Sequence, residues 1–464
     1  MTCKSKSRRQ FLQASLVGGV GIAAGLRLAR AQAGTTAPAA RGGSPEAAPA
    51  GQTPFTPTEI NKPLGSAFGI KPGRVVWAHD PTATTWDGTT NTPGWWDDSN
   101  TNPAAVSAMV SKVIRSVGDA ATDKDAWNKI FTDFNQRKGK GAVGYKKGEK
   151  VAIKPNFNQC RSHGDNANAS YVAPQLILPL LRQLVNEVGV APADIYVYDA
   201  IRNVPSTLYD RAAKEFAGMH FVDSTGTEGR EKAVADMTKP LTLSKGGVTF
   251  YFPTCLTGAE YLINIAGLKG HTLASMTVCA KNHLGSFFNA NGSAGAPNIH
   301  PFISVKGGGR GAAPQTAGSY NGLVDLNGHP QTGGKTILYI VDAIYATQHN
   351  EFRLATACKW TSAPFNGHWT SSILASQDGV AIDSVALDFL RNEPTISPTV
   401  TGPVDNYLHE MALADKAPSQ TAYDPAKSGK PLASLGVHEH WNNATEKKYS
   451  RNLGTGQGIE LITA

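Results

Sequence analysis

Apolar and polar positions along residues 64–464 predict strands and helices in alternation. Runs of β-branched apolar residues between turn residues are typical of strands, and apolar residues three and four positions apart are typical of amphipathic helices. The predicted strands are 74–79, 150–155, 194–199, 219–223, 261–271, 335–342 and 372–376, with a hairpin over 241–252. The predicted helices are 103–117, 123–137, 174–188, 206–217 and 379–391. This order predicts an α/β fold with a mixed, largely parallel sheet flanked by helices.

Residues 261–285 place charged side chains at the end of a predicted strand. The strand ends in Lys269-Gly270-His271, and a helical-looking segment then carries Lys281 and Asn282. Proteins of the α/β class bind ligands just beyond the carboxyl ends of strands. In a helix, the ten positions between His271 and Lys281 correspond to about 80° around the axis, so both can approach one ligand. The alternative is that Lys281 only caps the carboxyl end of that helix.

Other predicted strands also end in polar residues. They supply Lys154 and Asn156, Asp199, Asp342, and the pair Asp378 and Asp383. If these strands are parallel neighbours, the groups converge at one edge of the sheet, with mixed charge suited to binding an anion and moving a proton. Each acid can instead cap a helix, as Asp378 before Gly379 would do.

The N-terminus predicts export. Arg8 and Arg9 precede an apolar stretch and an Ala31-Gln32-Ala33 cleavage site, which together are typical of a twin-arginine signal peptide over residues 1–33. We therefore expect the twin-arginine export machinery as a partner and a periplasmic or extracellular location. The signal holds six basic residues and no acidic one, so its removal lowers the net charge from +8 to +2. The mature chain gives no reason to expect nucleic acid or an integral membrane segment.

Composition divides the rest of the chain. Residues 34–63 are rich in Ala, Pro and Gly, and that composition is typical of a disordered linker before a domain over 64–464. Residues 286–334 are dominated by Gly, Asn, Ala and Pro, which indicates a functional lid or a disordered insertion.

Cysteine and histidine spacing leaves the cofactor open. No C-x-x-C occurs, which argues against an iron–sulfur cluster. Cys160, Cys255, Cys279 and Cys358 can form two disulfides in three pairings, or they can be buried free thiols. His438-Glu439-His440 offers two imidazoles on one side of a strand, but a metal needs further ligands brought by folding. Ordinary histidines are the more common case, so no metal site is predicted here.

Several segments resemble the domain of unknown function 362 family. The resembling segments, in family order, are Val151–Asn156, Ile195–Asp199, Gly267–His271 with Lys281–Gly285, Ile340–Asp342 and Ala375–Asp383. The resemblance covers about 150–390 and implies the fold and the location of a site more than a reaction. Many relatives carry cysteine-rich iron–sulfur modules that this chain lacks, so the electron-transfer role often guessed for the family is not implied. Where the family often has Lys-Thr-His, this chain has Lys269-Gly270-His271.

The first hypothesis is an exported enzyme acting on a small anionic substrate. His271 would be the general acid or base, with Lys281 and Asp378 as the other catalytic residues. The predicted substrate-binding residues are Lys154, Asn156, Lys269, Asn282, Asp199 and Asp383. A non-catalytic periplasmic ligand-binding or redox-accessory protein is the second hypothesis, and a metal-dependent enzyme is the third.

Overall fold

A computed structural model describes residues 58–164, 168–293, 298–307 and 313–464. The predicted signal peptide (1–33), most of the predicted linker (34–63) and most of the glycine-rich run 307–311 lie outside these residues. Within the described ranges, every helix is too short or too polar to cross a lipid bilayer.

Strands and helices alternate as the sequence predicts. The strands are β1 (Leu64–Gly65), β2 (Arg74–His79), β3 (Val151–Pro155), β4 (Ile195–Tyr198), β5 (His220–Asp223), β6 (Glu231–Lys232), β7 (Ala235–Thr242), β8 (Thr249–Pro253), β9 (Tyr261–His271), β10 (Ser275–Thr277), β11 (Thr336–Thr347), β12 (Ser372–Ser376), β13 (Val437–His438) and β14 (Glu460–Thr463). The helices are α1 (Pro103–Val117), α2 (Asp123–Arg137), α3 (Pro174–Gln183), α4 (Ser206–Glu215), α5 (Thr254–Thr257), α6 (Cys279–Asn282), α7 (Gly322–Gly328), α8 (Gly379–Asn392) and α9 (Asn406–Ala412).

One large sheet organises the fold. Its strand order is β14-β2-β12-β11-β9-β3-β4-β5-β6, and β10 pairs with the end of β9. Along this path every neighbouring pair is parallel except the two that β12 makes with β11 and β2. The predicted α/β fold with a mixed, largely parallel sheet is confirmed, and β12 is the reversed strand on this path.

Both faces of the sheet are covered. Because successive strand residues face opposite sides, Ala152 and Leu262 join one core cluster, while Ile153 and Ile263 join the other. The first cluster also contains residues of α6 to α9, and the second contains residues of α1 to α4. Burial on both sides explains why the central strands read as continuous apolar runs.

The strand order reverses between β3 and β9. From β3 the chain continues to β4 and β5 on one side of β3, whereas from β9 it continues to β11 on the opposite side. In open α/β sheets, a crevice for ligands forms beyond the carboxyl ends of the strands at such a switch point. Lys154 and Lys269 lie near the carboxyl ends of these two adjacent strands.

The predicted continuous helix between His271 and Lys281 is wrong. The chain turns after His271, and β10 folds back so that Ser275 lies opposite His271. The backbone amides of Leu273 and Ala274 donate to Nδ1 of His271, which closes a tight turn where a helix would continue. Helical structure begins only at Cys279, in α6.

Two predicted loop regions contain ordered structure where they are described. Within 286–334, α7 buries Leu323, Val324 and Leu326 in the core, so this part is not a lid. Within 58–63, Ile60 pairs with His440 in an isolated bridge. The rest of the predicted linker lies outside the described residues and stays a prediction.

Candidate functional site

A cavity of about 310 Å³ lies at the switch point between β3 and β9. It is lined by Lys154, Asn156, Asn158, Asp199, Ile201, Arg202, Lys269, His271, Thr272, Leu273, Thr277, Lys281, Asn282, Leu284, Gly285, His300, Asn350 and Glu351. Four of these side chains are lysine or arginine, and two are carboxylates. This volume is at the lower end of the range for small-molecule sites, so the cavity suits a small ligand with negative charge.

The floor of the cavity holds a buried ion pair. Nζ of Lys154 donates to Oδ2 of Asp199 at 2.8 Å and to the carbonyl of Pro155 at 2.8 Å. Burial lowers the pKa of Lys154, and the Asp199 carboxylate partly offsets that effect. A Cβ at Gly285 would lie 2.6 Å from both Nζ of Lys154 and Oδ2 of Asp199. Glycine at this position therefore lets the backbone after α6 approach the pair.

A chain of amides joins the strand ends to α6. Nδ2 of Asn156 donates to Oδ1 of Asn282 at 3.1 Å, and Nδ2 of Asn282 donates to the Lys154 carbonyl at 2.9 Å. Oδ1 of Asn156 accepts from Nζ of Lys269 at 2.9 Å. These two predicted substrate-binding amides line the cavity, but their side chains also hold the lysines and α6 in place.

Two buried lysines face the cavity with little compensation. Nζ of Lys269 has the neutral amide oxygen of Asn156 as its acceptor. Nζ of Lys281 makes no hydrogen bond or ion pair with any described residue. Burial is the main cause that lowers the pKa of Lys269 to about 8 and that of Lys281 to about 7, and the Lys269 charge lowers the latter further. Buried amines without counter-ions are costly, and an anion in the cavity would stabilise their charged form.

His271 presents one defined polar atom to the cavity. Its Nδ1 accepts the backbone amides of Leu273 and Ala274 at 3.0 and 3.1 Å, so the ring proton lies on Nε2. Burial, together with the nearby Lys281 charge, holds the pKa of His271 well below its usual value. A neutral imidazole in this tautomer donates a hydrogen bond through Nε2 but has no free lone pair with which to act as a base.

Asp378, predicted to be catalytic, lies away from this cavity. Its carboxylate accepts the backbone amides of Val380 and Ala381 at the start of α8, as well as those of Phe68 and Val437. The prediction assumed that all strands were parallel. Because β12 is antiparallel, with Ser376 opposite Tyr339, its carboxyl end lies at the other edge of the sheet. Asp378 caps α8, and the prediction that it converges with Lys269, His271 and Lys281 is wrong.

Asp383, predicted to bind substrate, supports the site from behind. It accepts the backbone amides of Cys279 and Ala280 at 2.9 and 3.0 Å and the hydroxyl of Tyr407 at 3.0 Å. It does not line the cavity. Its contacts anchor the start of α6, which carries Lys281, so the fold gives it a positioning role behind the cavity wall.

Asp342 has a similar backbone role. It accepts the amides of Ala173 and Ile344, and burial raises its pKa to about 6. Asp199 is thus the predicted strand-end acid that the fold brings to the cavity wall.

Several residues of the cavity wall were not among the predicted site residues. Arg202 lies three residues after Asp199, which accepts its backbone amide, and this close spacing was a usable signal. His300 comes from the Gly/Asn-rich region, while Asn350 and Glu351 follow β11, and only folding brings these three to the site. The hydroxyl of Thr277 also lines the cavity and is buried without a hydrogen-bond partner among the described residues.

Close packing explains why glycine occupies position 270. A Cβ at this position would lie 2.1 Å from the carbonyl oxygen of Gln348, so the loop after β11 packs directly on the strand end. The close approach brings the neighbouring Asn350 and Glu351 over the cavity.

The remaining cysteine and histidine candidates lie outside the cavity. Cys160, Cys255, Cys279 and Cys358 form no disulfide with one another in the described part of the chain; Cys160, Cys279 and Cys358 are buried and Cys255 is partly buried. His438 and His440 are both buried near α8, where His438 contacts Ser384 and His440 contacts Asp388.

Comparison with known proteins agrees with the resemblance in sequence. A search of curated proteins finds no match. Residues 151–388, just over half of the chain, match the model of the family described as domain of unknown function (DUF362), and this range contains β3, β4, β9 and α6, the elements that build most of the cavity. The chain therefore belongs to the DUF362 family.

Proposed function

We propose that the protein is an exported enzyme that acts on a small anionic substrate in the cavity between β3 and β9. The observation that carries this proposal is the pair of buried lysines, Lys269 and Lys281, which face the cavity and form no ion pair with any carboxylate of the described residues. A small carboxylate, sulfate or phosphate group would supply the missing counter-charge.

The proposed chemistry gives different roles to the groups of the site. Lys281, with a pKa lowered to about 7, exchanges a proton near neutral pH and is suited to general acid–base catalysis. Neutral His271 donates a hydrogen bond from Nε2 to an oxygen on which negative charge develops. Lys269 and Arg202 neutralise the anion, and the Lys154–Asp199 pair fixes the floor. Lys281 thus replaces His271 as the proposed base.

A second candidate function is a non-catalytic ligand-binding or accessory protein. One observation favours it: Nδ1 of His271 is held by two backbone amides, so a carboxylate cannot orient the ring through this nitrogen as it does in many catalytic histidines. Such a protein would bind the same anions without changing them.

Proton-NMR monitoring of pooled small carboxylates, sulfate esters and phosphate esters separates the two functions. The enzyme proposal expects that wild-type protein converts at least one compound and that Lys281→Met and His271→Ala do not convert it. Lys335→Met is the matched control, because Lys335 is a half-buried lysine with a pKa lowered to about 8 that lies outside the cavity. Line broadening of a compound without conversion would favour the binding protein, and conversion by Lys281→Met would contradict the proposed role of that lysine.

The location of the protein is part of the proposal. The twin-arginine pattern before residue 33 supports export of a folded chain. Replacing Arg8 and Arg9 by lysine should retain the protein in the cytoplasm, as measured by cell fractionation. Unchanged export of this variant would contradict the proposed pathway.

A further inference from the structure

A second group of titratable side chains meets where β13, α9 and the segment before β1 come together. Nε2 of His409 lies 3.3 Å from Oε2 of Glu59. One possible ligand atom each from Glu59, His409 and His438 lies within 4.8 Å of the other two. The backbone fixes the arrangement, because the amide of His440 donates to the Glu59 carbonyl and Leu64 pairs with His438.

The hydrogen bonds of Ser384 determine the tautomer of His438. The hydroxyl proton of Ser384 goes to the Val380 carbonyl at 2.7 Å. Towards His438, therefore, Ser384 Oγ can only accept, and it does so from Nδ1 at 2.9 Å. The proton lies on Nδ1, and Nε2 keeps a lone pair. This is the way in which a second residue orients a histidine that binds a metal.

The lone pair of His438 has no hydrogen-bond partner in the part of the chain that is described. His438 is 0% exposed, and its Nε2 is a buried polar atom without a hydrogen bond to any described residue. A buried polar atom of this kind is costly unless something binds to it.

His440 is excluded from the group by its own partners. Its Nδ1 lies 2.6 Å from Oδ1 of Asp388, and its Nε2 lies 3.6 Å from Oδ1 of Asp405. Both ring nitrogens of His440 therefore face carboxylates of their own, which turns the ring away from Glu59 and His409 as a shared ligand. The H-x-H motif thus contributes one ligand, and the other two come from distant parts of the sequence.

We propose that Glu59, His409 and His438 bind one divalent transition-metal ion, with zinc as the best fit. Two imidazoles and one carboxylate are a zinc-type donor set, which leaves a fourth position for solvent. Bonds of about 2.0–2.1 Å in tetrahedral geometry place ligand atoms about 3.3–3.4 Å apart, close to the spacing of His409 and Glu59. These two partly exposed side chains have the freedom to close on the buried His438. The ion would fasten the segment before β1 to α9 and β13.

Zinc titration by calorimetry tests this site in the full chain, purified with a tag that contains no histidine and treated with a chelator. One zinc per chain is expected, with affinity at least about tenfold weaker in His409→Ala and about tenfold weaker in Ser384→Ala, where His438 loses its orientation. His220→Ala is the matched control, because His220 forms a surface pair with Glu231 outside the group. Absence of zinc binding by the wild type, or equal binding by His409→Ala, would overturn the proposal.

Cobalt binding gives a second readout that does not depend on affinity alone. Wild-type protein should show the visible absorption of tetrahedral Co²⁺, and His438→Ala should not, after circular dichroism has shown that the variant is folded. Should His438→Ala fail to fold, Glu59→Gln serves instead. The site shares no residue with the cavity between β3 and β9, so its result is independent of the proposed function. An octahedral spectrum, or an unchanged spectrum in the variant, would contradict the assigned ligands.

Discussion

The two edges of the main sheet bury ionisable groups in opposite ways. At the carboxyl ends of β3 and β9, Lys281 faces a cavity and makes no hydrogen bond with the described residues. At the other edge, the two carboxylate oxygens of Asp378 accept four backbone amides, so its hydrogen bonds are completed within the fold. Burial alone therefore does not mark a functional group. An ionisable side chain that is buried, uncompensated and next to a cavity does, because an external ligand can complete its contacts.

Removing the counter-ion of the cavity floor should have the largest effect on stability. Asp199→Asn leaves the charge of Lys154 buried without a partner, so we expect a loss of about 3–5 kcal/mol in the free energy of unfolding. Urea denaturation measures the loss. Glu215→Gln, which breaks the exposed pair with Arg182, is the control and should cost less than about 1 kcal/mol. Equal losses in the two variants would show that the floor is not a buried ion pair.

Replacing Asp378, at the opposite edge of the sheet, should cause the next largest loss of stability. Asp378→Ala leaves four backbone amides without their acceptor, and we expect a loss of about 2–3 kcal/mol in the free energy of unfolding. Sulfate binding by the folded variant, measured by calorimetry, should equal that of the wild type. If Asp378→Ala kept the wild-type free energy of unfolding but no longer bound sulfate, Asp378 would have to be part of the anion site.

Replacing Lys281 in the cavity should stabilise the protein, in contrast to the two substitutions above. The unfolded chain holds the Lys281 proton up to about pH 10.5, whereas the folded chain releases it near pH 7, so the unfolded state binds more protons between these values. The contribution of Lys281 to the free energy of unfolding is therefore most unfavourable below pH 7, and this penalty disappears as the pH rises towards 10.5. Lys281→Met removes this penalty and should raise the free energy of unfolding by about 1–2 kcal/mol near pH 6, with the gain shrinking towards pH 10. Urea denaturation across this pH range would contradict the account if it showed a loss near pH 6.

The smallest expected effect tests the support behind the cavity. Tyr407→Phe removes the hydroxyl that donates to Asp383 at 3.0 Å, and about 1 kcal/mol of unfolding free energy should be lost. Because Asp383 anchors α6, sulfate affinity should also fall by a few-fold. Tyr345→Phe is a matched tyrosine control, because Tyr345 lies in the core cluster on the opposite face of the sheet and its hydroxyl donates to the Asn100 carbonyl, so sulfate affinity should stay unchanged. Equal sulfate affinity in Tyr407→Phe and the wild type would limit Asp383 to a structural role.

The sequence predicted the fold better than it predicted the site. Continuous apolar runs predicted the strands, because both faces of the sheet are buried. Apolar residues at helical spacing predicted the long helices, because one side of each helix packs on the sheet. Strand direction is not contained in that pattern, so the reversal of β12 and the displacement of Asp378 could not be seen. The turn after His271 was missed because it is closed by a side chain that binds backbone amides. Lys269, His271 and Lys281 nevertheless meet, since their positions depend on the end of β9 and the start of α6 more than on the path between them.

Sulfate binding at two pH values tests the central claim most directly, because the charge of sulfate does not change between them. The account predicts that the wild type binds sulfate at about pH 6 and at least about tenfold more weakly at about pH 9, where Lys281 and Lys269 have lost their protons. Lys281→Met should bind weakly at both values, and Lys335→Met should behave as the wild type. Sulfate affinity that is the same at both pH values, or unchanged by Lys281→Met, would contradict the claim that these buried lysines form an anion site.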